Sequence, residues 1–294
     1  MRLVRWILAL ALVAGAAGWW VTRPAALPDS YADLAPGDAE AGRVVFAAAG
    51  CASCHVAPEA EPGDTPVLAG GKRFDTRFGT FVAPNISPSS QGIGDWTDAE
   101  LIHAIRAGVG RDGTHLYPSF PYTSYARSDP QDIADLVAHM RTLPPDPTES
   151  QPHDLGFPFN IRRSLGGWKL LYLSDDWVLA EAATPEIARG RTLVEALGHC
   201  AECHTPRNAL GAPDLTAWMA GAENPGGDGR IPGIDPGTLD WSESQIANYL
   251  DSGFTPEFDT AGGDMVDVIA NTARLSDQDR AAIAAYLKAI PAIE

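Results

Sequence analysis

The sequence predicts an all-α protein made of two copies of one small helical domain, preceded by an apolar N-terminal helix. The main observation is an internal repeat, because four short motifs recur in the same order at separations of 145 to 149 residues. The chain of 294 residues is long enough for two domains and a connector. The paired motifs are Cys51-Ala52-Ser53-Cys54-His55 with Cys200-Ala201-Glu202-Cys203-His204, Asp95-Trp96-Thr97 with Asp240-Trp241-Ser242, Ser128-Asp129 with Ser276-Asp277, and Leu143-Pro144 with Ile290-Pro291.

Each copy is predicted to contain three helices, because capping residues and apolar periodicity recur at matched places. In both copies the third helix carries apolar residues at i, i+3, i+4 and i+7. The predicted boundaries are N-caps at Asp38 and Thr184 for the first helix, capping boxes at Thr97 and Ser242 with terminal glycines Gly108 and Gly253 for the second, and starts at Ser128 and Ser276 with stops before Pro144 and Pro291 for the third.

The repeat predicts domains over residues 38–145 and 184–294, joined by a connector over 146–183. The connector begins Pro-rich and continues with apolar stretches at 157–161 and 167–173. Because flexible linkers are mostly polar, we expect this segment to pack against the domains or a partner.

Residues 1–23 are predicted to be a signal peptide or a membrane anchor. Two arginines precede an apolar run over residues 6–21, close to the ~20 residues that span a bilayer. Small residues at 14–18 favour cleavage, whereas the tryptophans and arginine that follow them favour an uncleaved anchor. Both interpretations place the bulk of the chain on the periplasmic side of an inner membrane, and the anchor is preferred.

Charge excludes one class of partner. The formal net charge of −17 argues against nucleic acid, because phosphate binding requires a basic surface. An acidic surface favours docking on a basic patch of a partner protein, although it also serves solubility. The 29 glycines and 24 prolines indicate short helices joined by many loops.

All four cysteines lie in two Cys-x-x-Cys-His motifs, the signature of covalent haem c attachment. Cys51 and Cys54 would bind one haem (haem 1), and Cys200 and Cys203 the other (haem 2). The histidine that follows each pair, His55 or His204, would be the proximal iron ligand.

Three other uses of these cysteines fit less well. A zinc site needs two cysteine pairs about 15–20 residues apart, whereas these pairs start at positions 51 and 200. Disulfides need no histidine after each pair, and a thioredoxin-like motif would not occur twice in small helical repeats. The sequence therefore predicts two haem c groups as cofactors.

A second axial ligand is expected from the loop before the last helix of each copy. In the second copy this loop contains Met265, 61 positions after His204. In the first copy it contains His115, 60 positions after His55, and this similar spacing makes His115 the predicted ligand. His103 is a rival within the second helix, and a five-coordinate haem 1 with an open site is a further alternative.

The sequence resembles the cytochrome c subunits of membrane-bound alcohol and aldehyde dehydrogenases along nearly the whole chain after the N-terminal segment. The stretches that carry the resemblance are Phe78-Gly79-Thr80, Ala83-Pro84-Asn85-Ile86-Ser87, His115-Leu116-Tyr117-Pro118, Phe120-Pro121-Tyr122, Phe157-Pro158-Phe159-Asn160-Ile161-Arg162, Gly167-Trp168-Lys169 and Cys203-His204-Thr205-Pro206-Arg207-Asn208. The resemblance implies two cytochrome c-like domains, and it implies that Asn85 and Arg207 contact haem propionates.

Two departures from that family stand out. The alcohol dehydrogenase subunits carry three haem motifs, and this chain has two. Many members also have a methionine where this chain has Phe120, which removes the usual methionine ligand of haem 1. Because two-haem relatives are associated with other dehydrogenases, the resemblance does not imply that the partner of this chain oxidises alcohols.

The resemblance implies an electron-transfer protein that is not itself an enzyme. It would take electrons from a periplasmic dehydrogenase and pass them to quinone, a cytochrome or a terminal oxidase. Methionine ligation raises a haem potential, so electrons are predicted to enter at haem 1 and leave from haem 2. The alternative is a haem peroxidase-type enzyme with an open site at haem 1.

Overall fold

The computed structural model describes residues 1–60, 65–224 and 229–293. It confirms the all-α class, with short β-strands added in the loops. The α-helices are α1 (Arg2–Val21), α2 (Ala39–Ala48), α3 (Cys51–His55), α4 (Asp98–Ala107), α5 (Tyr122–Tyr125), α6 (Pro130–Met140), α7 (Ser164–Tyr172), α8 (Pro185–Arg191), α9 (Ala201–His204), α10 (Glu243–Ser252), α11 (Met265–Thr272) and α12 (Asp277–Ala289).

The helix ends are set by local chemistry that recurs in the two copies. Capping boxes open α4 at Thr97 and α10 at Ser242, and both helices end at a glycine with positive φ, as predicted. One predicted start is wrong, because the side chain of Asp129 and not that of Ser128 caps α6. The Ser128 hydroxyl instead donates to the Tyr125 carbonyl at 2.6 Å.

The first and last helices of each domain cross at a glycine. A Cβ on Gly42 of α2 would lie 1.9 Å from the Asp135 carbonyl oxygen of α6. In the second domain a Cβ on Gly190 of α8 would lie 1.9 Å from the Ala282 oxygen of α12. These two crossings form the same framework in both domains, because only glycine permits such close backbone approach.

In the part of the chain that the structure describes, five short strands lie outside the helical frameworks: β1 (Arg73–Thr76), β2 (Gly79–Val82), β3 (Asp154–Leu155), β4 (Ala222–Glu223) and β5 (Arg230–Ile231). In the first domain β1 pairs antiparallel with β2, and β2 pairs antiparallel with β3 of the connector. The pair β4–β5 is antiparallel. The connector is therefore hydrogen-bonded to the first domain through β3.

Helix α1 is long and apolar enough to cross a membrane by its length and composition. All its residues except Gly18 are exposed, and none is buried. The residues just after it pack against the first domain and the connector, as shown by a hydrogen bond from Arg163 Nε to the Thr22 hydroxyl at 3.3 Å.

Candidate functional site: two facing haem-attachment motifs

Each Cys-x-x-Cys-His motif forms a single helical turn, α3 in the first domain and α9 with its N-cap Cys200 in the second. The i, i+3 spacing puts both thiols of a motif on one side of that turn. A left-handed residue precedes each turn, Gly50 with φ of 59° and His199 with φ of 40°. The chain thus turns sharply from the long helix into the motif.

The four cysteines are free thiols that can form thioethers. Burial raises the pKa of Cys51 and Cys200 to about 12 and that of Cys203 to about 11. Burial also raises the pKa of Cys54. The donor chemistry and the one-turn geometry therefore fit covalent haem attachment in both domains.

The two motif histidines are oriented in the same way. His55 Nδ1 lies 2.9 Å from the Pro84 carbonyl, and His204 Nδ1 lies 2.8 Å from the Pro232 carbonyl. A carbonyl can only accept a hydrogen bond, so Nδ1 carries the proton and Nε2 has the lone pair that can bind iron. Burial lowers the pKa of both imidazoles, which keeps them in this neutral form.

The loop that supplies these carbonyls is also repeated. Gly70 N donates to the His55 carbonyl, and Gly221 N donates to the His204 carbonyl, both at 2.7 Å. Further along, Ile86 N donates to Leu68 O at 3.0 Å, and the second domain has the same bond from Ile234 N to Met219 O at 2.8 Å. Met219 is thus the fully buried counterpart of Leu68 on the proximal side.

The loop on the other side of each site has the same register in the two domains. Leu116 N donates to Gly108 O at 2.7 Å, and Ala261 N donates to Gly253 O at 2.9 Å. A second pair of bonds, from Gly110 N to Thr114 O and from Thr255 N to Asp259 O, is 2.8 Å long in both domains. The two loops therefore correspond at a constant separation of 145 residues.

This register pairs Met265 with Phe120 and His115 with Thr260. Met265 and Phe120 are both half-buried at matching places. His115 is only 3% exposed, and its Nε2 lies 2.9 Å from the Thr22 carbonyl at the end of α1. Ligation by Met265 and by His115 both remain predictions, but His115 could bind iron through Nε2 only after giving up this hydrogen bond.

The side-chain polar atoms of Asn85 form hydrogen bonds within the protein. Its amide nitrogen donates to the carbonyls of Asp146 and Thr148 at 2.9 and 2.8 Å, and its oxygen accepts from Ser87 N at 2.8 Å. Its main role in this structure is to hold the start of the connector. A propionate contact of Asn85 remains a prediction from the family resemblance.

Arg207 lies beside the second motif. It donates to the Gly211 carbonyl at 2.7 Å and to the Glu202 carbonyl at 2.8 Å, and it forms an ion pair with the Glu202 carboxylate. Glu202 stands between the two cysteines of that motif, so Arg207 stiffens the haem 2 attachment turn. Its contact with a propionate is likewise still a prediction.

The two motifs face each other across the domain interface. Asn271 of α11 donates to the Ser53 hydroxyl of the first motif at 2.7 Å. In the opposite sense, Thr123 of α5 donates to the Glu202 carboxylate of the second motif at 3.0 Å. Ser53 and Glu202 are equivalent positions in the two motifs, so the interface has approximate two-fold symmetry with both haem-attachment turns at its centre.

One buried carboxylate joins three parts of the chain near this interface. Glu195 accepts hydrogen bonds from Val178 N at 2.6 Å, from Leu179 N at 3.0 Å and from the Tyr286 hydroxyl at 2.7 Å. Arg127 of the first domain lies 3.9 Å from it. The connector, α12 and the end of α5 are thus held together by a side chain that sequence analysis did not single out.

Two like helical domains, each with a thiol pair and a histidine aimed at one site, define a protein that carries two covalently bound haem c groups. The sequence profile of the Cytochrome c family matches residues 39–144 and 187–291, and the chain belongs to that family.

Several characterised proteins are similar to this chain. It is 57% identical over 289 residues to a diheme cytochrome c-type protein of Cereibacter sphaeroides, covering 98% of this chain and 97% of that protein. It is 37% identical to the fructose dehydrogenase cytochrome subunit of Gluconobacter japonicus, over 85% of this chain and 52% of the subunit. It is 34% identical to the cytochrome c subunit of a quinone-dependent alcohol dehydrogenase of Gluconobacter oxydans, over 86% and 54%.

The chain therefore spans nearly all of the diheme relative and about half of the two dehydrogenase subunits. These relatives are electron-transfer proteins and subunits, which confirms the prediction that this chain transfers electrons and is not itself the catalytic enzyme.

Proposed function

We propose that this protein is a membrane-anchored electron relay that accepts electrons from a periplasmic dehydrogenase and passes them to quinone, a cytochrome or a terminal oxidase. The observation that carries the proposal is the facing arrangement of the two motifs, linked by the Asn271–Ser53 and Thr123–Glu202 hydrogen bonds. The dehydrogenase partner is supported by the names of the relatives, two of which are dehydrogenase cytochrome subunits.

The residues around the sites have defined roles in this relay. The bound haem irons supply the chemistry, which is one-electron exchange between the ferric and ferrous states. Pro84 and Pro232 hold the proximal histidines in a fixed tautomer. His204 is buried and His55 is half-buried. Fixed side chains reduce the structural change that accompanies each electron transfer. The hydrogen bonds across the interface fix the spacing of the two sites.

The two domains are proposed to differ in potential and so to set a direction. Met265 is available as a thioether ligand in the second domain, whereas the matching residue of the first domain is Phe120. Because methionine ligation raises the potential of a c-type haem, we expect haem 1 to have the lower potential. Electrons then enter at the first domain and leave from the second.

This direction is testable by potentiometric titration of the purified holoprotein. Two one-electron steps are expected, with haem 1 the lower of the two, and substitution of Phe120 or Met265 assigns each step to its domain. A higher potential for haem 1 would refute the direction. Co-purification of the membrane-extracted protein with a dehydrogenase tests the proposed donor separately.

We further propose that α1 is kept as an anchor and is not cleaved. The segment after it is built into the folded protein at several points. His115 and His103 approach the carbonyls of Thr22 and Ala25 at 2.9 and 3.1 Å. Gly166 of α7 has room only for hydrogen, since a Cβ there would lie 2.1 Å from the Thr22 oxygen.

The surface beside the end of α1 also suits a membrane. Residues 155–174 contain no acidic residue and include Arg162 and Arg163, in a chain with a net charge of −17. Exposed apolar side chains on this segment include Phe157, Leu170 and Leu171. Leu170 lines the same groove as Trp20 of α1. This face is therefore proposed to rest on anionic headgroups around the anchor.

Retention of α1 gives a direct prediction for the protein isolated from its own membranes. Intact-mass spectrometry is expected to give the full chain, with or without its first methionine, plus two haems, in a fraction that resists alkaline carbonate extraction. The apolar run in α1 and the built-in position of Thr22 are the physical reasons. A mature chain that begins between residues 15 and 25 and is found in the soluble periplasmic fraction would contradict the anchor.

A further inference from the structure

The distal loops of the two domains carry different residues at matching positions. In the second domain the distal loop presents Met265, and the loop of the first domain, which has the same hydrogen-bonded register, presents Phe120. A phenyl ring has no lone pair that can bind iron. Phe120 packs on the core of the first domain, with its ring centroid 5.7 Å from that of Tyr125. The Tyr125 hydroxyl in turn lies 3.4 Å from Ala49 O, two residues before Cys51.

His115 packs against the segment that follows α1. Its Nε2 is at the Thr22 carbonyl, and its Nδ1 is buried with no hydrogen-bond partner among the described residues. The groove that it lines is formed by the end of α1, the end of α4 and the connector helix, with Val21, Ala107 and Lys169 among the lining residues. None of these elements belongs to the haem-attachment turn.

Four other histidines and Met140, all within the described ranges, have contacts elsewhere in the protein. His103 Nε2 is 3.1 Å from Ala25 O, and His199 Nε2 is 3.2 Å from Ala49 O. His153 Nδ1 accepts from Val82 N at 3.1 Å. The ring of His139 packs against Phe46 with centroids 5.2 Å apart. Met140 is buried in the core of the first domain.

From this arrangement we infer that haem 1 has no protein ligand at its sixth position and that this position binds a small neutral diatomic molecule of the CO or NO class. Phe120 supplies an apolar wall at the position that matches Met265. An apolar wall favours neutral ligands, because an anion would lose its hydration without gaining a hydrogen bond. The inference rests on haem attachment to the first motif and is independent of the direction of electron transfer.

Carbon monoxide titration of the full-length, detergent-solubilised holoprotein in its ferrous state tests this inference. One CO per chain is expected, although two haems are present. The ferric protein should show one high-spin and one low-spin haem by electron paramagnetic resonance. Both readouts report ligation directly and require no dehydrogenase or acceptor.

Three variants separate the possible ligand sets. Phe120→Met restores a thioether and should reduce CO binding from one to none, with both haems low-spin. Met265→Leu should raise the number of CO molecules bound per chain from one to two. His115→Ala should leave one CO per chain, because His115 faces Thr22. The inference is overturned if the wild-type protein binds no CO with both haems low-spin. If His115→Ala then gains a CO site, His115 is the ligand.

Discussion

Replacing Glu195 by alanine is expected to lower the free energy of unfolding by about 3–5 kcal/mol, the range found when one partner of a buried charged pair is removed. Glu195 has no exposed surface, and the Arg127 side chain is only 8% exposed. The substitution would leave Arg127 buried without its carboxylate, and it would leave the amides of Val178 and Leu179 without an acceptor. Each unsatisfied buried donor adds about 1–3 kcal/mol if water does not reach it.

Chemical denaturation of the holoprotein, followed by far-ultraviolet circular dichroism, measures this loss. Glu195→Gln keeps one carbonyl oxygen and should cost less than alanine, because one acceptor remains. Glu181→Ala is the matched control, since Glu181 is exposed on the same connector, and it should change stability by less than about 0.5 kcal/mol. Equal stability of Glu195→Ala and Glu181→Ala would show that the Glu195 contacts are not needed to hold the domains together.

The parts of this fold that depend on local sequence could be predicted. Capping boxes at Thr97 and Ser242 involve residues three positions apart, so four letters of sequence are enough to place a helix start. The haem-attachment turns are equally local, because two cysteines and a histidine occupy five consecutive positions. The repeat then extended each local assignment to the other domain.

The distal ligand of haem 1 is harder to assign, because counting residues from the haem motif and counting them from the glycine at the end of the second helix match Met265 with different positions. The segment from His55 to Gly108, where the second helix ends, is four residues longer than the matching segment from His204 to Gly253. Counting from the histidines therefore matched Met265 with a position near His115. Counting from Gly108 and Gly253 matches Met265 with Phe120, and the loops that follow these two glycines share the same backbone hydrogen bonds. The sequence does contain a signal for this match, because the Asp95-Trp96 and Asp240-Trp241 motifs also lie 145 residues apart.

The buried polar contacts could not be predicted, because their partners lie far away in the sequence. Asn85 bonds to carbonyls more than 60 residues away, and Glu195 bonds to Tyr286, 91 residues away. A signal for Glu195 did exist, since it interrupts the apolar run from Leu193 to Leu197. A carboxylate in such a run needs buried partners, but only the fold shows which ones.

A one-residue insertion also separates the two copies. Nine residues lead from Gly42 to Cys51, and ten lead from Gly190 to Cys200. The extra residue is absorbed by a π-helical stretch at Thr192–Leu197, because an i→i+5 turn contains more residues than an α-helical turn. Glu195 lies within this π-helical stretch. The part of the second domain that differs from the first therefore carries the carboxylate that binds the connector and Arg127.

Replacing Met265 by histidine is expected to lower the potential of haem 2 by on the order of 0.2 V, a fraction of the ~0.8 V range over which axial ligands set haem potentials. The physical reason is that a thioether stabilises ferrous iron, whereas a second imidazole stabilises the ferric state. The change would bring haem 2 down towards haem 1 and remove the proposed driving force between the domains.

Potentiometric titration of the variant measures the shift, and the rate at which a reduced first domain delivers electrons to an external acceptor measures its consequence. Val266→His is the matched control, because Val266 is the exposed neighbour of Met265 on α11 and gains the same side chain without replacing the thioether. It should leave both potentials near those of the wild-type protein. If Met265→His left the haem 2 potential unchanged, Met265 would not be its ligand, and the proposed direction of electron flow would lose its basis.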